Sequence, residues 1–146
     1  LVTNYLPTRA ALIANALDRW RRDRDGIDVM TGDADPLTAL LEATLTSNAD
    51  DPVLRTLILE IVANASVEPE LGSNLRRESM AFQDELAEAS RASGIAQPRA
   101  LAEIIYLLLR GATIAAAEDP THWNEAHLRE VILGTVSALR HPVSPR

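Results

Sequence analysis

The chain has 146 residues, 47% of them apolar, enough to bury a sizeable core as one domain. It has no cysteine, which excludes a disulfide framework and a thiolate metal site and suits a reducing compartment. The net charge is −7 but uneven: residues 1–24 hold five Arg against two Asp, so the remaining body is strongly acidic.

Aromatics make up only 3% of the chain, so the core must be built from Leu, Ile, Val and Ala. Ala and Leu are strong helix formers, which predicts an all-α fold. No uninterrupted apolar run approaches the roughly 18–20 residues that cross a bilayer, so no membrane partner is expected. A basic end beside an acidic body is compatible with nucleic acid at that end. The plainer reading is that Arg19, Arg21, Arg22 and Arg24 form the solvated face of a helix.

Prolines recur at 36, 52, 69, 98 and 120, each preceded by Asp, Glu or Gln. Proline is tolerated in the first turn of a helix, and an Asp just before it can accept the orphan N–H groups beyond. Asp35-Pro36 and Asp51-Pro52 therefore read as helix starts, and Glu68-Pro69 and Gln97-Pro98 as starts with poorer caps. Apolar residues recur at helical spacing between these marks.

The first helix is expected over 8–25, with Leu12, Ile13, Ala16, Leu17 and Trp20 on one face and Gly26 at its end. The second spans 36–48 and the third 52–66. The third is apolar over most of its surface, which predicts a central position. The fourth, 69–93, repeats Leu71, Leu75, Phe82 and Leu86 with Met80 beside them, and Gly94 closes it. The fifth, 98–118, carries Leu101, Ile104, Ile105, Leu108 and Leu109. Asn124 can cap the last helix, whose stripe is Leu128, Val131, Ile132, Thr135, Val136 and Leu139. The tail, 142–146, reads as flexible.

The residues Tyr5, Leu6, Pro7, Thr8, Arg9 and Leu12 carry a resemblance. They are similar to the junction of tetracycline-repressor (TetR) family regulators, where a DNA-reading helix-turn-helix meets the long helix of the ligand-binding core. The segment Leu108-Leu109-Arg110-Gly111-Ala112, with Glu118-Asp119-Pro120 and Trp123, resembles the last helix pair of that family. The departures are Leu6, where an aromatic is usual, and Ala10, where an acidic residue is common.

The resemblance implies a six-helix core whose last two helices pair with their symmetry mates as a four-helix bundle. It implies that residues 1–7 are a remnant of the helix-turn-helix and that 8–141 form the effector-binding and dimerisation domain. Tyr5, Thr8 and Arg9 would then lie near the DNA backbone, and operator DNA would be reached only through N-terminal helices missing here. The implied interface residues are Leu101, Ile105, Leu109, Leu128, Val131, Ile132, Thr135 and Leu139. The implied partners are a second copy and a small apolar or amphipathic ligand, in the cytoplasm. An arginine-only basic complement suits a high-GC bacterial genome.

A ligand pocket would lie between helices and be mostly apolar with a few polar anchors. Trp20, Thr44, Leu45, Leu57, Ile61, Met80, Phe82, Tyr106 and Arg110 are its candidates. Tyr106, Thr44 and Arg110 would orient the ligand. The alternative for each is plain core packing. The rival function is a helical protein–protein interaction module with no small-molecule ligand.

No enzyme is expected. There is no Gly-x-Ser-x-Gly elbow and no phosphate-cradling glycine loop. His122 and His127 are five apart, which is not the spacing of two ligands on one helix face. Glu118, Asp119 and His122 read as exposed turn residues. Asp33 and Asp35 start like a calcium loop that no Glu closes. Neither a metal nor a cofactor is expected.

Overall fold

A computed structural model describes residues 34–49 and 52–141, and of residues 47–49, 52–55, 57 and 58 the backbone alone. The helix expected over 8–25, with Tyr5, Thr8, Arg9 and Trp20, lies outside the described residues. So do the tail, the cap expected at Asp51 and the side chain of Leu57. The described residues form five helices and no strand, as the all-α expectation requires: α1 Pro36–Ala49, α2 Pro52–Asn64, α3 Pro69–Ala92, α4 Pro98–Glu118 and α5 Glu125–Arg140.

The punctuation works as the sequence predicts. Each of the first four helices begins on its proline. The Thr38 N–H donates to Asp35 Oδ1 at 2.8 Å, and the His127 N–H donates to Asn124 Oδ1 at 3.1 Å. Glu68 and Gln97 make no side-chain cap.

Gly94 ends α3 with φ of +80°. Its N–H donates to the Arg91 carbonyl and that of Ile95 to the Ser90 carbonyl, the paired bonds of a left-handed helix stop. Ile95 then packs onto the core. This tight turn folds α4 back along α3, and the two make the most extensive helix contact of the described residues. Gly72 serves closeness instead: a Cβ there would stand 2.5 Å from the Ala65 carbonyl oxygen.

The main core joins Leu37, Leu41 and Leu45 of α1, Leu86 of α3, Leu101, Ile105 and Leu109 of α4, and Ile132 and Val136 of α5. Fully burying each such side chain contributes about 1.5–3 kcal/mol. A smaller cluster, Ile61 and Leu71 with Leu75 against them, holds α2 to α3.

No described side chain of α2 joins the main core, and Val62 is 49% exposed. Its backbone contacts α1, α3 and α4, and the side chains of Leu54, Leu57 and Ile58, on which the expected central position rests, lie outside the described residues.

Polar ties hold α1 to α5. Arg129 pairs with Glu42 and donates to Thr46 Oγ1. Arg140, with its side chain 14% exposed, pairs with Asp35 at 2.6 Å and donates to Thr38 Oγ1. The Ser93 hydroxyl accepts from the Leu37 N–H at 3.0 Å and so brings the end of α3 into the same knot. Burial pushes the Asp35 carboxyl up, but the Thr38 N–H and hydroxyl and the Arg140 guanidinium more than offset it and hold it below the usual carboxylate range.

Candidate functional site

The α3–α4 contact carries a polar cluster, apart from the exposed Arg99–Asp84 ion pair nearer the turn. Tyr106 and Arg110 stand one turn apart on α4, facing Ser79 on α3. The Tyr106 hydroxyl donates to Ser79 Oγ at 2.9 Å. Arg110 Nε donates to the Tyr106 oxygen at 2.9 Å, and Arg110 Nη2 to Ser79 Oγ at 3.1 Å. The guanidinium carbon stands 5.1 Å from the Tyr106 ring centre. All three side chains are half-buried. Two hydroxyls and a ring thus hold the guanidinium in place without neutralising it.

Sequence reasoning named Tyr106 and Arg110 and missed Ser79. The signal was present: Leu75, Ser79 and Phe82 follow one another at helical spacing. A hydroxyl interrupting an apolar stripe is the same sign that singled out Thr44.

Of the other described pocket candidates, Thr44, Leu45 and Ile61 pack elsewhere. Thr44 is buried on α1, where its hydroxyl donates to the Leu40 carbonyl at 2.8 Å. Leu45 lies in the main core, with Phe82 packed against it. Ile61 is in the smaller cluster, and Met80 is 48% exposed.

The residues named for pairing divide in two. Leu101, Ile105, Leu109 and Ile132 are buried in the chain's own core, which corrects their assignment to a partner-facing surface. A helix that both closes a core and meets a partner needs two apolar faces, and the sequence stripe located the inner one. On α5, Leu128 and Thr135 are half-buried, while Val131 and Leu139 are exposed. Exposed apolar side chains also stand on α4: Ile104, Leu107 and Ile114, with Leu107 68% exposed; of these the sequence stripe named Ile104 alone. Gly111 and Gly134 have open space where a Cβ would stand.

This two-faced pattern also makes α4 long and apolar enough to cross a bilayer by length and composition, alone among the helices of the described residues. The expectation that no segment approaches that length holds for uninterrupted runs and fails for α4 as a whole. A helix that lines a core on one side and an interface on the other has the same composition.

His122, Trp123 and His127 form a ring cluster at the α4–α5 turn, with His122 and His127 centroids 5.0 Å apart. The Asp119 carboxylate accepts from the His122 backbone N–H. Among the described residues no group of three or more acidic, cysteine or histidine side chains is arranged to hold a metal.

Comparison with known proteins bears on what this arrangement serves. No curated protein and no solved structure gives a significant match. A family model described as the C-terminal part of BetI-type transcriptional repressors matches residues 33–141, which takes in all five helices. The chain therefore belongs to the BetI-type repressor family through its C-terminal regulatory domain, a family of transcription regulators and not of enzymes.

Proposed function

We propose that this chain dimerises and binds an effector for a cytoplasmic repressor of the tetracycline-repressor class. Two copies pair through the outer faces of α4 and α5 about a two-fold axis, which makes the interface self-complementary. The observation that carries this reading is the exposed apolar side chains on both helices, Ile104, Leu107 and Ile114 of α4 and Val131 and Leu139 of α5, with open space at Gly111 and Gly134. Exposed apolar surface of this kind on a globular domain suits an interaction site.

The ligand lies against α3 and α4, with Tyr106 and Arg110 as its polar anchors. It shifts the balance between two orientations of the N-terminal helix, to which the family's DNA-reading head is attached. It acts only in so far as it binds one orientation better than the other. By resemblance Tyr5, Thr8 and Arg9 stand at the DNA end, where Arg9 adds charge beside the phosphates.

The pairing is tested with a single cysteine, since the chain has none of its own. Ala138→Cys, on the proposed face, should be joined to a second copy by a short bis-maleimide. Ala92→Cys, at the exposed end of α3, should not. Equal cross-linking at both positions, or none at 138, would sink the pairing.

A further inference from the structure

Three arginines of the described residues are half-buried against neighbouring helices: Arg110, Arg129 and Arg140. Arg129 pairs with Glu42 and Glu125, and Arg140 with Asp35. Arg110 has no carboxylate; its partners are the Tyr106 and Ser79 hydroxyls. A guanidinium keeps its charge at any pH the protein meets, and a half-buried charge without a counter-ion is costly. Two partly charged hydroxyl oxygens hold the group still but do not cancel it. This acidic chain supplies carboxylates to the other two and none to this one, although Glu78 is next in sequence to Ser79.

From this we infer that Arg110, positioned by Tyr106 and Ser79, is the head-group site for a ligand bearing a single carboxylate on an apolar body. The inference rests on the effector-binding reading above and gives that effector a chemical class. A guanidinium meets a carboxylate with parallel hydrogen bonds, and these charge-assisted bonds are about twice as strong as neutral ones. A single arginine fork suits a monoanion better than a phosphate dianion. The apolar body follows from the flanks: Leu75 and Phe82 lie one turn to either side of Ser79, both half-buried.

The Arg110 guanidinium leans toward Ser79 on α3, away from Leu107 and Ile114 on the outer face of α4. This favours a ligand in the α3–α4 seam over an acidic side chain from a second copy.

Calorimetry of the purified chain with octanoate and with octanamide, which has the same tail without the charge, tests the inference. Octanoate should bind at least about 10-fold more tightly than octanamide. Arg110→Gln should erase that preference, weakening octanoate by at least about 10-fold more than octanamide. Arg110→Lys, which keeps the charge but not the fork, should restore part of it. Circular dichroism and sedimentation of each variant separate loss of the site from loss of fold or assembly.

Equal binding of acid and amide by the wild-type chain would overturn the carboxylate class and leave the effector reading standing. Binding of neither would overturn both. An Arg110→Gln variant that keeps its preference for octanoate but falls apart into monomers would assign the guanidinium to the partner's acidic side chain, and the inference would fail.

Discussion

The seam between α1 and α5, with the end of α3 against it, and the outer side of α4 are built on opposite terms. At the first, charge is matched: Arg140 has Asp35, Arg129 has Glu42, and Ser93 closes the start of α1. At the second, little is matched: apolar side chains stand in solvent and two glycines face open space, and in the neighbouring α3–α4 seam Arg110 is held by two hydroxyls and a ring, with no carboxylate. A region whose interactions are satisfied internally holds the fold. A region that leaves charge and apolar surface without partners is shaped for something outside the chain.

The largest effect should come from breaking the uncovered face. Leu107→Glu combined with Ile114→Glu would bury like charges in the proposed interface and should weaken self-association by more than about 100-fold. Because both side chains are exposed in the single chain, helix content by circular dichroism should stay the same. A variant that unfolds instead would show that these residues serve the internal core.

The matched end should respond in the reverse manner. Asp35→Ala removes the helix cap and strands Arg140, and should cost about 2–3 kcal/mol of unfolding free energy in urea melts, with any ligand affinity unchanged. The same pair gives a pH dependence. The folded pKa of Asp35 is depressed, so its contribution is present above the unfolded carboxylate pKa and is lost as pH falls through the lower, folded value. In Asp35→Asn that part of the acid destabilisation should be absent. If acid titrations of wild type and variant run parallel, the pair contributes nothing.

A smaller effect is expected at Arg110. Arg110→Gln should change unfolding free energy by less than about 1 kcal/mol, since it removes a charge that no carboxylate answers. A loss as large as that at Asp35 would make the two arginines equivalent and erase the distinction. Of similar size is Tyr106→Phe, which removes one hydroxyl from the cluster and should cost about 0.5–1.5 kcal/mol of ligand affinity.

Much of the fold was legible in the sequence because proline, Asp and Gly act locally. Asp35-Pro36, Asn124 and Gly94 set helix ends through bonds that span three to five positions. Apolar spacing likewise located core residues on α1, α3, α4 and α5. What it could not locate was a second face on the same helix: α4 is apolar nearly all round, so periodicity found Leu101, Ile105 and Leu109 and passed over Leu107 and Ile114. The pocket candidates show a related limit. Tyr106 and Arg110 share one helix, so their meeting follows from spacing, whereas Ser79 joins them only through the antiparallel packing of α3 and α4. Nor could spacing show that Arg140 reaches Asp35 across 105 positions of chain, since that pairing exists only in the folded core.

Sedimentation equilibrium of the unmodified chain at micromolar concentration tests the central claim most directly. The account predicts a dimer that the Leu107→Glu, Ile114→Glu variant converts to a monomer of the same helix content. An unmodified chain that sediments as a clean monomer throughout that range would contradict it.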